Sequence, residues 1–114
     1  MRWDRKSEII FTAVEQMPQF PGGEVAMNKF IADNLKYPEL SKKDKPSGKV
    51  YLRFVVSKEG KLCDARIVRS LDAYCDKEAL RVIRSMPEWI PGKQNGINVS
   101  VYYIVPVVFS LPLQ

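Results

Sequence analysis

The sequence contains no histidine. That absence excludes a Ser-His or Cys-His nucleophile pair, a histidine-ligated zinc site and an imidazole pH switch. Carboxylate, lysine or tyrosine chemistry is all that remains to an enzyme, so the first inclination is towards a binding module. Cysteine is scarce. Cys63 and Cys75 form no C-x-x-C motif and cannot complete a four-ligand metal site without other donors. One disulfide is arithmetically open to them, and so is the plainer pair of one buried and one partly exposed thiol, so they do not fix a redox compartment. No stretch reaches the ~20 apolar residues of a membrane-spanning helix. The longest greasy run, Val101 to Phe109, is too short and contains Pro106. No signal peptide is visible, because Met1-Arg2-Trp3-Asp4-Arg5-Lys6 is followed by only a few apolar residues. If the domain works outside the cytoplasm, its export signal lies beyond this sequence. Gly22-Gly23 lacks the spacing of a phosphate loop, and no RNP pattern accompanies the interleaved Tyr51, Arg53 and Phe54.

What is present fits one soluble globular domain. The chain has 114 residues, of which 46% are hydrophobic and 27% charged. That length hides roughly two-thirds of its surface without a metal or disulfide staple. The net charge is +5 but diffuse: residues 1–57 hold 10 basic and 7 acidic side chains, and residues 58–114 hold 8 and 6. Neither half is a basic arm, which weakens a nucleic-acid reading. The densest run, Lys42, Lys43, Lys45 and Lys49, is interrupted by Asp44 and Pro46 and fits a solvated loop.

Residues 1–10 fit a flexible lead, with the domain proper over 11–114. Glu8 to Val14 is rich in β-formers and fits a short extra strand, before Pro18, Pro21, Gly22 and Gly23 break the chain. Ala26, Met27, Phe30, Ile31 and Leu35 make one apolar helical stripe, and Pro38 is the expected stop. Val50, Leu52, Phe54 and Val56 alternate with polar residues as a strand with one buried face. A turn at Ser57-Lys58-Glu59-Gly60 leads to a second strand from about Leu62 to Arg69. Its apolar residues Leu62, Ala65 and Ile67 change phase once, which predicts a β-bulge. A second helix is expected from near Ala73 to Ser85, with Cys75, Ala79, Val82, Ile83 and Met86 on one side. The acidic cluster Asp72, Asp76 and Glu78 at its start is explained by capping and dipole pairing rather than catalysis. A turn over Glu88 to Gly96 precedes a long final strand, Ile97 to about Phe109. The fold class is therefore α+β: two helices packed on one face of a small antiparallel sheet, with a long C-terminal edge strand.

That last strand carries the strongest hint of function. Pro106 lacks a ladder N–H and marks an edge. From Ile97 to Val105 neither charge nor proline blunts the edge. Such an edge accepts an extended peptide from a partner or a copy of itself, or is covered in cis by Ile9 to Val14.

Several segments together resemble the C-terminal domain of TonB-type energy transducers. They are Val14-Glu15-Gln16-Met17-Pro18-Gln19-Phe20-Pro21-Gly22-Gly23, the helix end Asn34-Leu35-Lys36-Tyr37-Pro38, the strand Gly48 to Val56 with its Gly60 turn, Leu71-Asp72, Ala79-Leu80, and Met86-Pro87-Glu88-Trp89-Ile90-Pro91-Gly92-Lys93. The likeness covers about residues 11–112, and its specificity lies in the order and spacing of motifs that are each weak alone. It implies a non-enzymatic periplasmic domain without metal or cofactor. It implies a membrane anchor and a Pro-rich spacer outside these residues, and coupling to the ion-driven motor ExbB and ExbD. The implied partner is the TonB box, a short N-terminal peptide of an outer-membrane transporter, which adds as a strand beside the last strand. On that basis Asn98, Val99, Ser100, Val101, Tyr102 and Tyr103 are expected as the template edge. Asn34, Leu35, Lys36 and Tyr37 match the family segment that contacts the box region, although Tyr37 and Pro38 also serve as a helix stop. Peptidoglycan and a second copy through the edge are further expected partners, and nucleic acid is not. Related domains are also fused to BlaR-type membrane metallopeptidases, which keeps a sensor role as the alternative. Trp89 is expected in the core.

Overall fold

A computed structural model of the protein describes residues 9–36 and 47–110. The chain runs β1 (Ile10–Phe11), α1 (Gly23–Asn34), β2 (Gly48–Val56), β3 (Leu62–Arg69), α2 (Ala73–Arg84), β4 (Gly92–Gln94) and β5 (Ile97–Phe109). The main sheet is ordered β1-β5-β2-β3, and β4 pairs with the start of β5. The two helices and the small sheet follow the expected α+β plan. One detail differs: β1 lies parallel to β5, so the sheet is mixed rather than purely antiparallel.

The β2–β5 ladder is the spine. It runs without interruption from Gly48 opposite Phe109 to Val56 opposite Val101. Because side chains alternate across a strand, Val50, Leu52, Phe54 and Val56 share one face with Val101, Tyr103, Val105, Val107 and Phe109. Nearly all of these are fully buried, and all but Val101 join Cys75, Ala79, Val82 and Ile83 of α2 and Met27 and Ile31 of α1 in one core. Each large apolar side chain buried this way stabilises the fold by about 1.5–3 kcal/mol. The phase change in β3 is a bulge: the register with β2 slips between Arg53 and Val55, and Asp64 there takes a left-handed φ of 57°.

Local chemistry explains the helix limits. Asp72 caps α2, its Oδ1 accepting from the Cys75 N–H at 2.6 Å, and Arg81 and Arg84 sit in the last turn. Asp76 accepts from the Leu71 N–H at 3.1 Å and from the Ser70 hydroxyl, so the acidic cluster does structural work. In α1, Glu24 sits in the first turn, and the Leu35 N–H closes the helix on the Ile31 carbonyl at 2.8 Å. That closure comes before the stop expected at Pro38. Tyr37, Pro38 and the lysine-rich run Lys42 to Lys45 lie outside the described residues. Cys75 is buried and Cys63 half-buried, with no disulfide between them.

Gly60 is where the β2–β3 turn meets the segment after α2. The Trp89 N–H donates to the Gly60 carbonyl at 2.8 Å. A Cβ on Gly60 would lie 2.2 Å from the Trp89 carbonyl oxygen, and the residue has a φ of +85°. Gly96, with φ +76°, has open space around its missing Cβ. Gly60→Ala therefore incurs both a backbone clash and a left-handed φ, whereas Gly96→Ala carries only the φ term of roughly 1–2 kcal/mol. In thermal denaturation Gly60→Ala is expected to lower Tm well beyond Gly96→Ala.

Candidate functional site

The template-edge residues are divided by strand alternation. Val101 and Tyr103 turn inward. The Tyr103 ring packs edge-on to Trp89 at 5.0 Å and stacks with Phe54 at 6.0 Å. Trp89 also meets Phe54 at 5.4 Å and Phe20 at 5.9 Å, and is only 3% exposed, as expected of a core residue. Burial, helped by the charge of Glu24, pushes the Tyr103 hydroxyl above its ordinary pKa. Tyr103 also borders a groove of about 720 Å³ shared with Gln16, Pro18, Phe20, Met27 and Lys93.

Asn98, Ser100 and Tyr102 turn the other way. The Ser100 hydroxyl accepts from the Lys58 N–H at 3.2 Å, and the Asn98 amide reaches the Lys58 carbonyl at 3.4 Å. Together they fasten the β2–β3 turn to β5. The Arg53 guanidinium lies 4.7 Å from the Tyr102 ring centroid, a cation–π contact.

Both flanks of β5 are engaged near its start, one by β4 and β2 and the other by β1. Gly92, Lys93 and Gln94 of β4 pair with Val99, Asn98 and Ile97. Asn95 and Gly96, with φ of 54° and 76°, link the two strands in a two-residue turn of the I′ kind. Ile10 and Phe11 pair with Ser100 and Val101. Since Val101 also faces Val56, β1 and β2 lie on opposite flanks of β5 at that point. Beyond Val101 no strand among the described residues covers the β1 flank, so the open edge runs from Tyr102 to Phe109. Of the expected Asn98–Tyr103 edge, Tyr102 and Tyr103 begin this open stretch, and Ser100 and Val101 are paired with β1. Pro106 has no N–H, which places its phase on the open flank. In that phase Tyr102, Ile104 and Val108 turn their N–H groups outward, and Ile104 and Val108 are 55% and 54% exposed. The missed signal is Asn95-Gly96, a strong two-residue hairpin marker that predicts a partner strand over Ile97–Val99.

The second expected patch, Asn34–Lys36, is held by α2. The Lys36 N–H donates to Glu78 Oε2 at 2.7 Å, and Arg81 donates to the Asn34 carbonyl at 2.8 Å. Arg81 also forks onto both Glu78 oxygens at 2.8 and 2.7 Å. Tyr37 lies outside the described residues. Among the described residues no group of three His, Cys, Asp or Glu side chains could hold a metal ion, and no helix is long and apolar enough to cross a membrane.

Fold and site define a small α+β domain whose last strand has, beyond Val101, one flank that no described strand covers. Residues 33–111 match the family described as Gram-negative bacterial TonB protein C-terminal. The chain belongs to this family, a non-enzymatic periplasmic domain of TonB proteins. Among solved structures that share its fold are two solution structures of the Helicobacter pylori TonB C-terminal domain. The one spanning that protein's residues 194–285 is 19% identical, with a TM-score of 0.60 over 79% of this chain and 95% of that one. The one spanning residues 179–285 is 18% identical, with a TM-score of 0.59 over 79% and 81%. No curated protein matches the chain.

The Glu78 contact generates a pH prediction. The Arg81 hydrogen bond, ahead of the Lys36 N–H, holds the Glu78 carboxyl below its ordinary 4.5 against the opposing cost of burial. A carboxyl depressed in the folded state contributes stability that is fully present above the unfolded value and lost as pH falls through the folded value. Glu78→Gln is therefore expected to be less stable than the parent at pH 7, with the gap closing on acidification below 4.5. Its Lys36 amide should exchange several-fold faster with deuterium at neutral pH. Denaturant melts at the two pH values and amide exchange check both.

Proposed function

We propose that this domain grips the TonB box, an extended N-terminal peptide of an outer-membrane transporter, by strand addition to β5. It would thereby couple an inner-membrane motor of the ExbB/ExbD kind to active import. The observation that carries this reading is the uncharged flank from Tyr102 to Phe109, which has ladder groups to offer and exposed Ile104 and Val108 beside them. Proteins normally blunt such an edge, and one left open suits β-augmentation. Backbone ladder bonds supply affinity, and alternate side chains of the peptide supply selectivity. Family membership supports the same reading. Asn98, Val99, Ser100 and Val101 belong to the docking strand as its anchored beginning, and Tyr102 and Tyr103 start its open part. Asn34, Leu35, Lys36 and Tyr37 form the second contact. Peptidoglycan and a second copy of the chain are further partners of this reading. The anchoring membrane helix lies outside these residues.

Titration of a transporter N-terminal peptide into isotope-labelled protein is expected to shift the amides of Tyr102 to Phe109 most strongly. Shifts confined to the helices or to β3, or none at all, would sink the reading. Ile104→Pro removes an outward N–H at an exposed position without touching the β2 flank. It is expected to weaken peptide binding about two- to tenfold, one ladder bond being worth roughly 0.5–1.5 kcal/mol, while Tm stays near the parent value. Val101→Pro is a poorer test, because Val101 is buried and pairs with Val56.

A further inference from the structure

We propose that β1 is a resident, displaceable occupant of the docking edge, so that a partner peptide enters by strand exchange. This rests on the reading of β5 as the docking strand. The first positions on the open flank, Ser100 and Val101, are already held by Ile10 and Phe11 in parallel register. A peptide that uses the whole flank must take those positions from them. A short peptide confined to Tyr102 and beyond would forgo the part of β5 that Ser100 anchors to the β2–β3 turn.

The attachment of β1 is built to be lost cheaply. Only two residues pair, and both are half-buried. Their neighbours are solvent-exposed: Ile9 is 78% exposed, and Thr12 and Ala13 lie open on the other side. Two paired residues are marginal as a strand.

The segment after β1 is fixed independently of it. Gln16 and Lys93 exchange backbone bonds at 3.1 and 2.8 Å, and Gln19 and Ile90 at 3.0 and 2.8 Å. Glu15 is tied to the hairpin twice, its N–H donating to Gln94 Oε1 at 3.0 Å and its Oε1 accepting from the Asn95 N–H at 2.7 Å. Release of β1 therefore stops at Glu15 and leaves Phe20 and α1 in the core. The exposed pair Thr12-Ala13 is the hinge.

The occupant also describes its competitor. Ile9-Ile10-Phe11-Thr12-Ala13-Val14 is uncharged and rich in β-branched and aromatic residues. A partner strand of the same chemistry satisfies the same positions. Occupancy by β1 scales the observed affinity by the fraction of molecules in which the flank is vacant.

Two variants of the full chain test this, with two probe peptides. Ile10→Pro/Phe11→Pro removes both N–H groups of β1, including the one that points to β5. Phe11→Cys/Val101→Cys, oxidised, locks β1 across its register partner, and reductant releases it. One probe is a transporter N-terminal peptide. The other is a synthetic copy of residues 8–14, which tests vacancy of the flank whatever the natural partner is. The proline variant is expected to bind both probes about tenfold tighter than the parent, and the oxidised lock at least about tenfold weaker than its reduced form; tenfold is ~1.4 kcal/mol. Near-ultraviolet circular dichroism reports whether each variant keeps its core. If the proline variant fails to fold, the lock alone decides through its oxidised and reduced states. Equal affinity of parent, proline variant and oxidised lock for the transporter peptide overturns strand exchange and leaves the proposed function standing. Binding of the residue 8–14 copy to the opened variant, with no binding of the transporter peptide, upholds exchange and removes the proposed function.

Discussion

The antiparallel ladder between β2 and β5 is the constraint on which the rest of the molecule depends. It aligns Val50, Leu52, Phe54 and Val56 with Tyr103, Val105, Val107 and Phe109 on one face, and that face is the floor of the core. The two helices have no comparable apolar partner elsewhere, so they must lie on it. Trp89 closes the arrangement at one end, wedged among Phe20, Phe54 and Tyr103 and bonded through its backbone to Gly60. Because β2 consumes one flank of β5, the ladder also decides which flank can serve a partner.

Rigidity and availability are thus divided along a single strand. The beginning of β5 is clamped by the β4 hairpin, by Ser100 and Asn98 on Lys58, and by β1. Its second half offers ladder groups on a flank that no described strand covers. A peptide that adds there meets a backbone already held straight by β2, so little ordering entropy remains for β5 itself to lose. On the proposed reading, a pull on such a peptide would pass into the β2–β5 ladder, the most extensive pairing among the described residues.

Much of this was legible in the chain. The period-two pattern of Val50 to Val56 and the helical stripes of α1 and α2 gave their elements, because burial on one face enforces those periods. The phase slip among Leu62, Ala65 and Ile67 foretold the bulge at Asp64, since an extra residue is the only way to return both ends of a strand to the core. Asp72 as a cap and Trp89 as core followed from local chemistry. Less legible was the state of the edge. The lack of charge from Ile97 to Val105 left the strand either open to a partner or covered in cis by Ile9 to Val14; β1 covers it at Ser100 and Val101 alone, and the pairing of Ile97–Val99 with β4 was not foreseen. A strand of three residues, Gly92-Lys93-Gln94, has too little pattern to announce itself, and only the Asn95-Gly96 turn betrays it.

The sequence by itself determined the elements, the inward faces and the kind of domain. These depend on periodicity, caps and turn residues within short windows. It left three fates open for the final strand: a partner, a second copy or a cover in cis. Tertiary structure decided among positions rather than among fates. It gave Ser100 and Val101 to β1 and the flank beyond them to no described strand. The physical reason is that strand pairing is a long-range choice. The ladder groups of β5 are alike from residue to residue, so which of them stay unpaired depends on where the rest of the chain is held. Here Glu15, Gln16 and Gln19 are fastened along the hairpin, and only the two residues of β1 are left to reach the flank of β5 opposite β2.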